Sequence, residues 1–232
     1  MSAAPLIIDM HTHFFPETWP DLAEKFGTPD WPWMKHHGDG TATVMVGDKE
    51  FRPIYSACWD VDKRLEEMDQ YSIDIQVMCS TPVLFATTRP ADQAAECAHI
   101  FNDAVLEMCG RSSGRLLPLA QVPLQDIDTA CNVLSQAMKD GHLGVQIGNH
   151  VGDKDLDDEG LVTFLQHCAA ENAAVLVHPW DMLTGNRMKK YMLPWLVAMA
   201  AETQLSILSL ILSGALERID KSLRICFAHG GG

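Results

Sequence analysis

Positive charge is scarce in this 232-residue sequence: 17 lysines and arginines stand against 31 aspartates and glutamates, a net charge of −14. A field of that sign repels nucleic acid and anionic membrane surfaces, so neither is expected as a partner. It repels an acidic substrate too, unless arginines are placed locally. The seven cysteines (58, 79, 97, 109, 131, 168 and 226) are odd in number and never form a C-x-x-C pair. That argues against a disulfide framework or a zinc ribbon, and they read as small core residues in a reducing cytosol. A basic leader is also lacking: in MSAAPLIIDMHTHFF the apolar run is broken by Asp9 and His11, which argues against a signal peptide. The most apolar later stretch, 205–212, is far short of the roughly 20 residues that span a bilayer. No internal repeat or low-complexity tract occurs, and no G-x-G-x-x-G follows a strand, so Gly230–Gly232 is not a nucleotide fingerprint. With 47% apolar and 21% charged residues, the length suits one sizeable globular core in a cytoplasmic protein.

What the sequence does have is alternation. Strands are expected at 6–11, 73–80, 116–122, 144–148, 175–178 and 223–228. Helices are expected at 60–71, 92–109, 126–139 and 159–172, with one or two more within 193–219. Asp60 is placed to cap its helix, whose Val61, Leu65 and Met68 share a face, and Gly110 and Gly141 stand where helices stop. Alternating βα units imply an α/β protein with a parallel sheet, either doubly wound or most of a (β/α)8 barrel. Residues 27–59 break the rhythm. Segments 41–46 and 50–55 around Gly47-Asp48 form a hairpin signal, expected over the C-terminal mouth of the sheet, where loops build sites.

Histidines mark the ends of three apolar strands: His11 and His13 in LIIDMHTH, His178 in VLVHPWD and His229 in ICFAHGGG. A Val/Ile/Leu-rich strand ending in His reads as a buried parallel strand that delivers a ligand to a rim. His11 and His13 are two apart, so their side chains share a direction, as capture of one ion requires. Alone, H-x-H is as often chance or structural as it is functional, and a lone buried His178 is more often a hydrogen-bonded core residue. Together they converge on a metal site, where three imidazoles and an open position make a water-activating arrangement. Pro179 holds His178 extended. His229 is either a fourth ligand or an acid/base, and its glycines permit close backbone approach. Arg52 in EFRPI reads by itself as a solvated strand residue, and Trp195 in YMLPWLV as helix packing. His36, His37, His99, His142, His150 and His167 read as surface.

Five blocks in this order carry a resemblance: DMHTHFFPETWPDL, CWDVDKRLEEMD, GVQIGNHV, LVHPWDM with RMKKYMLPWLVAMAAET, and ICFAHGGG. Over essentially the whole chain the sequence resembles the aminocarboxymuconate-semialdehyde decarboxylase family of the amidohydrolase superfamily, which are zinc-dependent barrels. The resemblance implies a (β/α)8 TIM barrel, with residues 1–232 one domain and 27–59 a small β insert within it. It implies non-oxidative loss of carbon dioxide from a small-molecule substrate, aminocarboxymuconate semialdehyde, by a cytoplasmic homodimer on the kynurenine route of tryptophan catabolism. His11, His13 and His178 match zinc ligands, His229 the catalytic acid/base, Arg52 a substrate-carboxylate arginine and Trp195 an aromatic at the substrate pocket.

Zinc would lower the pKa of a bound water to roughly 7, and His229 could take its proton. Imidazole ligands suit cobalt or iron as well as zinc. The family pattern continues past the A-H-G-G-G block with two further strands, an aspartate ligand and an arginine donated across the dimer. The chain is therefore expected to be a barrel truncated after about strand six, with little or no turnover and a doubtful dimer. Two rival expectations are a related decarboxylase or hydrolase of another aromatic or unsaturated acid, and a non-catalytic partner of a longer counterpart. The hairpin with Arg52 favours the aminocarboxymuconate reading.

Overall fold

Helix starts follow the side chains that cap them. The computed structural model describes residues 5–182 and 186–231, so the end at Gly232, on which the expected truncation turns, lies outside the described residues. The elements in chain order are β1 (Ile8–Phe14), α1 (Leu22–Phe26), β2 (Pro32–His36), β3 (Thr41–Val46), β4 (Lys49–Tyr55), α2 (Val61–Gln70), β5 (Ile75–Ser80), α3 (Ala91–Gly110) and β6 (Leu116–Pro118). There follow α4 (Ile127–Asp140), β7 (Gly144–Gly148), β8 (His150–Val151), β9 (Lys154–Asp155), α5 (Glu159–Ala170), β10 (Ala174–His178), α6 (Met199–Leu212), α7 (Ala215–Arg218) and β11 (Arg224–Phe227). These fall into two compact units, Met1–Leu84 with Ile100–Pro118, and Phe85–His99 with Leu119–Gly232.

In the first unit β1, β5 and β6 form a parallel sheet in the order β1-β5-β6. Phe14, Met78 and Leu116 from its strands close on Val61 and Met68 of α2 and on Val105 and Met108 of α3. The Asp60 carboxylate accepts from the amides of Asp62 (2.9 Å) and Lys63 (3.2 Å), as its position predicts. Asp60→Ala is expected to lower stability by about 1 kcal/mol, read as a lower urea midpoint with an unchanged slope. The hairpin of β3 and β4 is present, but it is two strands of a three-stranded antiparallel sheet, with Pro32 to His36 pairing along β3. That third strand carries no alternation of apolar residues that would mark it in the sequence.

In the second unit the parallel order is β11-β10-β7, around a core that includes Val145, Val175, Val177, Phe164, Leu165 and Leu210. Asp126 caps α4 through the Thr129 amide, and Gly141 ends it in the left-handed conformation, at φ 112°. The expected strand 116–122 is cut to Leu116–Pro118, because Pro118 has no N–H to carry a ladder onward; Ala120 makes an isolated parallel bridge to Val145. A π-helical turn, Pro194–Ala198, runs into α6, so the helical run Pro194–Leu212 is 19 residues long with mean hydropathy 1.6. By length and composition that run is enough to cross a membrane, against the expectation drawn from 205–212 alone. Its inward face mixes polar and apolar residues (Glu202, Thr203 and Ser206 are buried with Ala198 and Leu210), while Leu205, Leu208, Ile211 and Leu212 are exposed.

Six strands lie in parallel ladders, three in each unit. Among the described residues none of the seven cysteines forms a disulfide; four are buried, whereas Cys226 is exposed and is not the core residue expected of it.

Candidate functional site

β1 runs three residues further than expected, so His13 as well as His11 lies within it. Between Asp9 and Thr12 the strand advances three residues while its partner β5 advances two, from Gln76 to Met78. This is a β-bulge, a device that re-aims side chains. Here it brings the two imidazoles edge to face, with centroids 4.8 Å apart and the Nε2 atoms 3.0 Å apart. The pair shares a proton, one Nε2–H donating to the other ring's lone pair. Two imidazole nitrogens bonded to one divalent ion at about 2.1 Å lie about 3.0–3.4 Å apart, so this pair fits an ion without rearrangement. Cys79, behind them, is no third ligand: its thiol donates to the Thr12 carbonyl, and burial pushes its pKa far up, which keeps it protonated.

The second unit holds the other two histidines. His178 ends β10, buried at 5% exposure in the middle of its sheet. Its Nδ1 stands 2.9 Å from the Pro179 carbonyl, which can only accept, so Nδ1 carries the proton and Nε2 keeps its lone pair. A carbonyl that accepts from the far ring nitrogen and so fixes the tautomer is what a metal-bound imidazole requires. His229 packs on the His178 ring, with centroids 4.9 Å apart and planes at 75°. Its backbone is left-handed (φ 56°), as are Gly230 and Gly231 after it, a conformation that persists in non-glycine residues where surroundings impose it. His229 is at the surface by exposure, yet the protein around its ring desolvates the imidazolium and lowers its pKa below the ordinary value.

The remaining expectations divide. Arg52 is exposed on β4 opposite Val44, with its guanidinium 5.8 Å from the Phe51 ring. Trp195 is 38% exposed in the π-helical turn. His142 is not a surface residue: it is 3% exposed, with Nδ1 donating to the Ala137 carbonyl at the end of α4. His36 ends a strand, its ring against Trp59 and its Nε2 on the Glu17 carbonyl. In the first unit a cavity of about 300 Å³ is lined by His11, His13, Arg64, Glu67 and Gln76. A larger one, about 600 Å³, lies elsewhere, among Trp19, Trp31, Trp33 and Asp21. Size is no guide here, because the larger cavity lacks the paired imidazoles.

Sequence reasoning passes over three buried polar residues that support these histidines. The Asn149 side chain donates to Glu202 (2.8 Å) and accepts from the Trp180 amide (2.9 Å), which fixes the loop after His178. Glu202 is the one charge between Pro194 and Leu212, a signal the sequence offers. Arg64 is 7% exposed and sits between Val61 and Met68 on the apolar face of α2, where a periodic reading could have marked it.

The amidohydrolase family model matches residues 8–232. The chain is 40% identical over 228 residues to a 2-amino-3-carboxymuconate-6-semialdehyde decarboxylase from Dictyostelium discoideum, covering 98% of this chain and 63% of the relative. It is 30% identical over 276 residues to the Caenorhabditis elegans protein of the same name, covering 97% and 68%. The chain thus spans about two-thirds of the length of these relatives. Among solved structures it resembles a dihydroxybenzoic acid decarboxylase from a Polaromonas species, solved with bound manganese and 2-nitroresorcinol. That likeness has a TM-score of 0.74 at 21% identity, over 99% of this chain and 67% of that one.

Proposed function

This chain belongs to the amidohydrolase family, and on that premise we propose a metal-dependent decarboxylase that converts 2-amino-3-carboxymuconate 6-semialdehyde to 2-aminomuconate 6-semialdehyde on the kynurenine route. The observation that carries the reading is the H-x-H pair, two Nε2 atoms 3.0 Å apart on one bulged strand. His11, His13 and His178 are the proposed ligands, with zinc as the ion; manganese, cobalt and iron suit the same donors. The reading also takes residues 1–232 as one barrel domain with 27–59 as its insert, in a cytoplasmic homodimer. The outward Leu205, Leu208, Ile211 and Leu212 of α6 supply an apolar face of the kind that subunit contacts use.

A bound divalent ion supplies Lewis acidity and a water acidified toward neutral pH. The rest falls to side chains. His229, whose charged form is disfavoured by burial, can accept a proton from water and return one to the carbon that loses carbon dioxide, so that a C–H bond replaces the C–C bond. Arg52 offers a planar fork that pairs with a substrate carboxylate through two parallel hydrogen bonds, the local positive charge that an acidic chain needs. Trp195 presents an aromatic edge to the conjugated chain of the substrate.

The test is carbon dioxide release by the metal-loaded chain, offered aminocarboxymuconate semialdehyde and, separately, 2,6-dihydroxybenzoate. Little turnover is expected of these 232 residues, on the first substrate and not the second, and what there is should fall about 10²-fold or more in His229→Asn. Faster turnover of the dihydroxybenzoate would reassign the chain to the aromatic-acid decarboxylases. Metal binding with no turnover of either substrate would overturn the reaction and leave the ligands standing.

A further inference from the structure

Arg64 is a buried guanidinium that forms no ion pair among the described residues. One of its terminal nitrogens donates to the His13 main-chain carbonyl at 2.7 Å, and the other to the Gln76 side-chain oxygen at 3.0 Å. Its Nε–H has no partner. Burial lowers its pKa, but an arginine starts so high that it stays charged. A buried cation whose hydrogen bonds go only to neutral acceptors costs stability, which the charge of Glu67 offsets only in part.

The geometry points across the bulge. Asp9 pairs with Gln76 on the near side of the extra residue, and His13 pairs with Cys79 on the far side. Arg64 holds the Gln76 side chain and the His13 carbonyl at once, and so grips both sides. Gln76 passes the hold on: its amide donates to Asp9 at 3.5 Å, and the other Asp9 oxygen accepts from the His11 amide at 3.2 Å. One guanidinium therefore reaches the backbone of both histidines, directly at His13 and through Gln76 and Asp9 at His11.

We infer that Arg64 is a positioning residue: with Gln76 and Asp9 it clamps the β1 bulge so that the Nε2 atoms of His11 and His13 converge on a single divalent ion. This rests on the metal reading proposed above, and the experiment separates the two. A lysine keeps the charge but not the rigid fork, so Arg64→Lys loses the two-ended grip. Gln76→Met keeps the volume of a half-buried side chain but removes both the acceptor for Arg64 and the donor to Asp9, so that only the hold on the His13 carbonyl remains.

The metal-free chain, with Arg64→Lys, Gln76→Met and His13→Ala, is titrated with Zn²⁺ by calorimetry, and the imidazole ¹⁵N signals of His11 and His13 are recorded before metal is added. Both clamp variants are expected to bind Zn²⁺ about 10–100-fold more weakly, the usual effect of losing an outer-shell partner. Their imidazole signals are expected to shift while far-ultraviolet circular dichroism and the melting temperature stay near those of the parent. Parental Zn²⁺ affinity and parental imidazole signals in both variants would overturn the clamp. Parental affinity in His13→Ala would instead overturn the metal reading, and the imidazole signals of the clamp variants, taken without metal, would still decide the clamp. Should Arg64→Lys fail to fold, Gln76→Met alone decides.

Discussion

Replacing His178 with alanine is expected to weaken Zn²⁺ binding about a hundredfold. Zinc held by four protein ligands binds with roughly 10–16 kcal/mol, so one ligand accounts for about 3 kcal/mol, and each 1.4 kcal/mol is a factor of ten. The expectation is specific to His178 because its Nδ1–H is committed to the Pro179 carbonyl, which leaves Nε2 as the donor atom. His142 is the control. It is equally buried and also donates through Nδ1 to a carbonyl, but it follows α4 in the helix-to-strand connection and is proposed as no ligand. His142→Ala should leave Zn²⁺ affinity unchanged. A competition titration against a chromophoric chelator measures both variants, and equal affinity in parent and His178→Ala would remove His178 from the ligand set.

Gly144→Ala is expected to be the most damaging single methyl in the second unit, at about 3 kcal/mol, the upper part of the usual range for overpacking. A Cβ at Gly144 would collide with the carbonyl oxygen of Ala174 and stand 2.6 Å from its amide nitrogen. Both are backbone atoms of the neighbouring strand, so no side-chain rotation relieves the clash. Gly144 pairs with Ala174 at one end of the same ladder in which Gly148 pairs with His178 at the other. Opening the first pair loosens the register that sets the height of the imidazole. Gly152→Ala is the contrast: at φ 57° with open space around it, it should lose only about 1 kcal/mol, from the left-handed backbone alone. Urea midpoints for the two variants rank them, and a Gly144→Ala midpoint no lower than that of Gly152→Ala would contradict the steric account.

Much of the fold is legible in the sequence. The strand at 144–148 is found residue for residue, and helices at 60–71, 126–139 and 159–172 are found to within a residue or two, because Asp60, Asp126 and Asp158 supply the caps. Apolar periodicity and capping are local, so local reading recovers them. The errors fall where a distant partner decides. β2 exists because β3 offers it a ladder, and strand 116–122 stops early because Pro118 has no amide to give. The helices expected within 193–219 are found, but the bilayer estimate counted only 205–212 and missed that the helical run begins at Pro194.

By itself the sequence determined which residue types stand at strand ends: His11 and His13 two apart, His178 before a proline, His229 before glycines. It determined the alternation of strands and helices as well, and the excess of acid. Only the tertiary structure decided what makes the histidines usable. An extra residue in β1 turns a plain H-x-H into two nitrogens 3.0 Å apart. A carbonyl one residue on fixes the proton of His178. A guanidinium from α2, invisible in a helix read as ordinary, reaches 51 residues back along the chain to hold the His13 carbonyl. Residue type and spacing are written along the chain, whereas ladder register, tautomer and the burial of a charge depend on atoms that folding brings in from elsewhere.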